Sequence, residues 1–430
     1  MRRPFTRITL PLTSMSFLNQ AGRIVVALVG PAIALEFGLS ASGLGALAAV
    51  FFAAYALAQL PIGLAMDLYS ARRMQVALGL VYSARRMQVA LGLVAALGFA
   101  LCAMAPDPGW LAVGRFVSGV GIAGALIAVM KAHVQWYRPE RMAVVTGAAV
   151  LLGAAGALCA TVPVQRLLPL LGWRGAFLLL ALLACLSALW IHLSLPRAPP
   201  PGAASPPPRR RLAEEVAEFG RIVAHPQFTR FTPAIALATA LVFTYQGLWA
   251  GPWLRDVAGL DDAARAAVLF SYVLGMMAGH LGSGYAASAI QARGGEPMLV
   301  PLAGVAGMAL LQAALLAGPR DPVSLHALWF AFAAFGSCGP VAYALLAQRF
   351  PASLTGRVST AMNGSMLALV FLLQAGIGLI LDLWPRTATG GWDPAGYAWA
   401  MGLTLALQAV SVLWLAAAPR LLRGSRTAAA

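Results

Sequence analysis

Charge is what most of this sequence does without. Residues 37–66, 231–254, 266–292, 322–348 and 394–419 contain no Asp, Glu, Lys or Arg, and only 10% of the chain is charged against 60% hydrophobic. That balance excludes the ordinary soluble classes, which need a charged surface. Cysteine is scarce. The four present, Cys102, Cys159, Cys185 and Cys338, show neither metal spacing nor a paired framework. They read as small apolar packing residues. No Gly-rich loop ending in Lys-Ser/Thr, no metal-spaced His pair and no Ser/His/Asp arrangement is present, which argues against an enzyme, against ATP-driven transport and against any cofactor. No small-residue cleavage site closes a short apolar core ahead of the first long span, so a cleavable signal peptide is not expected.

What the sequence has instead is long apolar runs. About 18 or more such residues suffice to cross a hydrocarbon core of about 30 Å as a helix, and in lipid only a helix or closed barrel satisfies its own backbone. The runs show no strand alternation. The expected fold is therefore an all-α membrane protein of twelve transmembrane helices, at 14–36, 43–66, 87–105, 109–132, 143–165, 175–195, 231–254, 266–289, 297–317, 323–347, 358–381 and 395–418.

The net charge of +16 invites a nucleic-acid reading, but the basic residues are distributed by side. With the N-terminus inside, 22 of the 30 Lys and Arg fall in cytoplasmic segments, 6 outside and 2 within the membrane. Lys and Arg collect on the cytoplasmic side of helical membrane proteins, so a multi-pass protein of the cytoplasmic (inner) membrane is expected, with both termini cytoplasmic. Its macromolecular partner is then the bilayer, whose anionic lipid attracts the excess, and not nucleic acid.

Residues 196–211, PRAPPPGAASPPPRRR, read as an extended Pro-rich linker. In the next segment, Leu212, Val216, Phe219 and Val223 recur at helical spacing opposite Glu214, Glu215, Glu218 and Arg221. That pattern predicts a short amphipathic helix on the inner membrane surface. The chain thus divides into a six-helix half (1–195), a linker (196–229) and a second six-helix half (230–430). The halves echo each other. Gly63-x3-Asp67-x4-Arg72 closes the second span, while Gly284-x3-Ser288-x4-Arg293 closes the eighth. Gln135-Trp-Tyr-Arg-Pro139-Glu-Arg141 comes after the fourth, and Gln348-Arg-Phe-Pro351 after the tenth. A doubled unit is how many transporters are built.

Together with Arg73, the Gly63, Asp67 and Arg72 loop resembles the signature of the major facilitator superfamily. Arg115-Phe-Val-Ser-Gly119-Val-Gly121 resembles its fourth-span motif, and Gly172-Trp173-Arg174-x-x-Phe177 its entry to the sixth span. Ser70 stands where the family usually has Gly, and Leu68 where it has a basic residue. The resemblance implies alternating access between two halves, with the first, fourth, seventh and tenth spans lining a central cavity. It also implies that Gly63, Asp67, Arg72 and Arg73 gate the cytoplasmic side.

One stretch fits no family pattern. Residues 69–81, YSARRMQVALGLV, recur unchanged at 82–94. Thirteen identical tandem residues point to a recent in-frame duplication, because an old repeat would have drifted. Thirteen residues turn a helix by roughly 220° and lengthen it by about 20 Å, so the two copies cannot both keep register with Asp67 and with span three. The extra turns are expected to protrude into the cytoplasm.

Ionisable side chains inside a bilayer are costly and mark function. Arg23 lies in the first span, with Asn19 and Gln20 one turn before it on the same face. Tyr245, Gln246 and Trp249 repeat that spacing in the seventh span, and Arg115 enters the fourth. These seven are the candidate substrate-binding residues. Lys131, His133 and His280 are weaker candidates, as are Tyr55, Gln59, Tyr343, Asn363 and Gln374. All 14 Asp and Glu fall in loops or at span ends. Two membrane arginines without a membrane carboxylate point to an anionic substrate. Span five lacks the Gly-Pro step of the family's antiporter signature, and Gln59 aligns where its nitrate porters carry Arg. The reading is a monomeric secondary transporter that imports a small organic anion, with a coupling proton or cation. An efflux pump for drugs or metabolites is the alternative, followed by a non-transporting or duplication-disabled protein.

Overall fold

The computed structural model describes residues 4–68, 84–137, 139–196, 212–351, 354–388 and 390–416. The chain is almost wholly helical, and among the described residues the only β-pairing is one isolated bridge, Arg386 to Trp392. Among the described residues, eleven helices are long and apolar enough to cross a membrane. They are Phe5–Glu36, Ala41–Gln59 (continuing as helix to Leu68), Arg85–Ala103, Pro108–Met130, Val162–Ser194, Pro226–Asp256, Asp262–Ala292, Leu299–Leu316, Pro322–Ala347, Thr355–Leu381 and Pro394–Leu415. Pro139–Cys159, whose apolar stretch is Val145–Cys159, supplies the twelfth as span 5. An even count places both ends of the chain on one face, the terminal face. The opposite one is the distal face.

Several boundaries differ from expectation. Span 1 begins at Phe5 rather than 14, because Arg7 interrupts hydropathy without interrupting the helix. Span 5 ends at Cys159, and residues 162–165 belong to the next helix. That helix breaks at Gly172, whose φ of 62° favours glycine. The sixth span therefore starts at Trp173. Trp173 Nε1 donates to Glu36 at 2.6 Å and Arg174 pairs with the same carboxylate at 2.6 Å, which pins spans 1 and 6 together at the distal face.

The internal symmetry reaches the helix breaks. Span 4 runs fifteen residues from Pro108 to Ile122, breaks, and resumes as Ala125–Trp136. Span 10 runs fifteen from Pro322 to Gly336, breaks, and resumes as Gly339–Ala347. Both start behind an Asp that caps the helix, Asp107 and Asp321. Gln88 Nε2 satisfies the Gly124 carbonyl at the first break, at 3.2 Å. The glycines of the fourth-span motif allow close approach. A Cβ on Gly119 would press on the Phe51 carbonyl of span 2 at 2.6 Å, and one on Gly121 would collide with the backbone of Ala95 in span 3. Small residues are how helices approach closely in lipid.

Burial orders the bundle. The apolar windows of spans 1 and 7 are 78% and 89% buried, against 39%, 33% and 28% for spans 3, 9 and 12. Spans 1 and 7 form the centre, and spans 3, 9 and 12 face lipid. The linker segment carries the helix Leu212–Ala224, which docks on protein. Phe219 and Ile222 join a cluster with Phe228, Phe350 and Val358, and Glu218 pairs with Arg357 at 2.6 Å, while Val223 is 41% exposed.

Candidate functional site

Arg23 sits where the halves meet. Its guanidinium lies over the rings of Phe52 (5.3 Å) and Tyr55 (5.0 Å) from span 2 and of Phe243 (5.2 Å) from span 7. The residue is 6% exposed, so it faces protein and not lipid. Among the described residues no carboxylate pairs with it. Each cation–π contact contributes about 0.5–1 kcal/mol, more when desolvated. Three of them are comparable to the roughly 2.5–3.5 kcal/mol cost of placing Arg at a helix centre. The cage can therefore hold the charge without an acid.

Polar atoms without partners lie on the helices that meet here. Arg23 Nε, Asn19 Oδ1 and Gln20 Oε1 on span 1 are buried and unsatisfied, as are Arg115 Nε on span 4, Thr244 Oγ1 and Gln246 Oε1 on span 7 and Gln374 Oε1 on span 11. Such groups are rare in native interiors and call for an explanation.

The other candidates lie elsewhere. Arg115 donates to the Gly22 carbonyl at 2.9 Å and covers Phe51 at 4.4 Å, inside the first half. The edge-to-face pair Phe51–Phe52 stands between the two arginines. Tyr245 does not join Arg23. It packs in the core of the second half against Trp329 (5.5 Å) and Phe332 (5.6 Å). Gln246 Nε2 turns to Met276 Sδ at 2.8 Å, and Trp249 Nε1 donates to the Gln374 carbonyl at 3.1 Å. The reason is local: Tyr245–Trp249 is a π-helical segment. One extra residue in the ladder rotates the residues after it by about 100°, so the 19/20/23 spacing no longer maps onto 245/246/249. Phe243, just before the insertion, keeps the face toward Arg23, and no sequence signal marks it. Gln374 Nε2 donates to the Thr244 carbonyl at 3.3 Å, where the segment begins.

Gly63 and Asp67 lie on the last turns of span 2, but their side chains, like Arg72 and Arg73 altogether, lie outside the described residues. So does the side chain of Lys131. Asn363 Nδ2 donates to Gln59 Oε1 at 2.9 Å, joining spans 11 and 2. Tyr343 keeps a buried hydroxyl without a partner, and His280 is half-buried on span 8. His133 packs inside the first half. Its buried ring bridges Thr9 (3.3 Å) and Thr146 (2.9 Å), tying spans 1, 4 and 5. No group of three or more His, Cys, Asp or Glu among the described residues could hold a metal.

Two pseudo-symmetric six-helix halves with polar groups buried at their seam are the architecture of a membrane transporter. The Major Facilitator Superfamily pattern matches residues 12–375, and the chain belongs to that family. Solved structures agree on the fold. A bacterial homologue of the human lysosomal transporter Spinster, inward-facing and occupied, superposes with a TM-score of 0.69 at 17% identity, covering 96% of each chain. The nucleoside transporter NupG gives 0.67 at 13% identity, covering 94% of this chain and 98% of its own. A D-xylose–proton symporter gives 0.66 at 16%, covering 95% and 96%. No curated protein matches the chain.

Proposed function

We propose that the chain is a secondary active transporter that moves a small organic anion across the inner membrane by alternating access, with both termini cytoplasmic. The observation that carries this is Arg23: a buried cation at the seam of the halves, held by rings, on one helix face with the unsatisfied amide oxygens of Asn19 and Gln20. An incoming carboxylate supplies the acceptor that Arg23 Nε lacks, and a substrate amide or hydroxyl can donate to the amide oxygens of Asn19 and Gln20. An efflux substrate carrying positive charge would meet the guanidinium's repulsion. The fold shared with a proton symporter and a nucleoside transporter makes proton-coupled import of a polar solute a natural mode. Proteoliposome uptake with a panel of labelled organic anions, with and without an imposed pH gradient, tests the reading. Uptake of an anion that is lost in Arg23→Ala supports it. Uptake of cations alone, or anion uptake indifferent to Arg23, sinks it.

A further inference from the structure

Helices that start at the distal face are mostly capped from within. Spans 4, 8, 10 and 12 begin behind Asp107, Asp261, Asp321 and Asp393, which accept the backbone N–H groups of Trp110, Ala264, Ser324 and Ala395. Span 2 has no acid of its own at that end. Ser40 precedes it and accepts from Gly43 N–H at 3.1 Å. The backbone N–H groups of Ala41 and Ser42 donate across the seam instead, to Oδ1 and Oδ2 of Asp382 at 2.7 and 3.0 Å. Asp382 stands just past the end of span 11, in the other half. Four residues on, Arg386 donates to the Leu39 carbonyl. The acid thus holds the amides of the 39–42 turn while the base holds its carbonyl.

Close packing continues along the same seam. A Cβ on Gly378 of span 11 would approach the Ala41 carbonyl at 2.5 Å and Ser42 Cα at 2.7 Å, and one on Gly45 would meet the Gln374 carbonyl. Between spans 7 and 1, a Cβ on Gly251 would meet the Ala27 carbonyl. The distal ends of the halves are in contact along both pairs of central helices.

We propose that Asp382 and Arg386 form a two-armed clip that holds the distal entrance shut, and that the halves must release it for that entrance to open. Both arms act on backbone groups, so the clip needs no matching side chain in the first half. A carboxylate at a helix N-terminus and a cation on the preceding carbonyl are each the favoured sign. The clip is a positioning device and touches no substrate. Release of the clip during turnover rests on the proposed transport function, whereas the clip itself is a conformational claim and is tested without substrate.

The test is a spin-label distance between Leu35→Cys and Val323→Cys, two exposed distal positions in opposite halves, with the four native cysteines replaced. The full-length protein is reconstituted in lipid and checked for monodispersity and thermal midpoint. The parent is expected to give mainly the short distance. Losing one cap shifts a two-state balance about fivefold, so Asp382→Ala and Arg386→Ala should each enlarge a longer-distance population by about that factor. Asp382→Asn, which keeps one acceptor oxygen, should fall between. Gly378→Ala, which wedges the same seam without touching charge, should shift the same way. If Asp382→Ala does not stay monodisperse, Asp382→Asn and Arg386→Ala decide the matter. Folded variants with the parent's distance distribution overturn the clip, whatever the uptake assay shows. A lowered thermal midpoint without a distance change also overturns it, because that marks a merely structural role.

Discussion

Two buried arginines in one half have different chemistry to answer for. Arg115 has a charge-assisted hydrogen bond to Gly22 and an aromatic face, together worth roughly 2–4 kcal/mol, which matches its insertion cost. It has a stable place within the first half. Arg23 bridges the halves through Phe243 of span 7 and shares a helix face with the orphaned amide oxygens of Asn19 and Gln20, while an unused Nε is common to both arginines. These differences predict different mutants. Arg23→Ala should abolish uptake while leaving expression and gel-filtration behaviour intact, and Arg23→Lys should recover little, because a point charge does not replace a planar fork. Arg115→Met keeps the bulk over Phe51 and should transport within a few-fold of the parent, with the loss confined to a lower thermal midpoint. Measured uptake and melting curves separate the two. Uptake destroyed in Arg115→Met with an unchanged midpoint would move that residue into the site. Arg23 was legible in the sequence because a charge inside an apolar run stands out. Phe52 and Phe243 were not, because an aromatic side chain in a membrane span looks the same whether it meets lipid, core or a guanidinium.

At the scale of the element, the charge-free runs revealed the spans, and the exceptions are instructive. Hydropathy reports the environment of side chains, while a helix ends where its backbone does. Arg7 therefore hid the first turns of span 1, and the apolar start of Val162–Ser194 merged with span 5. The π-helical segment of span 7 had no signature at all, since an inserted residue changes no composition. A spacing argument carried across it from Tyr245 to Trp249 fails for that reason. Nor did sequence reveal the buried link in which Gln312 Nε2 donates to Thr404 at 2.7 Å and Gln408 Nε2 to Gln312 Oε1 at 2.8 Å, tying spans 9 and 12. The tandem copy was legible, and its consequence is testable. The second copy supplies the start of span 3: Arg85 donates to the His192 carbonyl at 3.1 Å, and Gln88 satisfies the break in span 4. The first copy, 69–81, lies outside the described residues. Deleting 69–81 joins Leu68 to Tyr82 and regenerates Gly63-x3-Asp67-x4-Arg85-Arg86 from the surviving copy. The shortened protein should be at least as stable and as active as the full chain. A clearly lower thermal midpoint or uptake rate would assign the segment a structural role.

Across the whole molecule, the two halves touch closely at the distal face, and the contact there has a defined response to acid. Asp382 is partly buried, which by itself would raise its pKa. Hydrogen bonds from Ser42, from the Ala41 backbone and from Ser40 outweigh that and hold the carboxyl below its ordinary value. The groups facing it are the Ser40 and Ser42 hydroxyls from the span 2 side, while Arg386, on its own loop, is engaged with the Leu39 carbonyl. When the distal entrance opens those bonds are lost, and the pKa returns to about 3.9. The closed form therefore binds a proton at Asp382 more weakly than the open form. Its contribution to closure is complete above about pH 5 and declines only as pH falls below about 4, through the depressed value. A physiological change between about pH 8 and pH 6 should leave the distal distance unmoved, so the clip is a fixed charge that yields to movement of the halves and not to external acid. The spin-label pair across that face, followed from about pH 8 to pH 3.5, should show a flat distribution with opening at the acid end, and Asp382→Asn should remove the acid limb. An opening that develops between about pH 8 and 6, or an acid limb that survives in Asp382→Asn, would overturn this account of the clip.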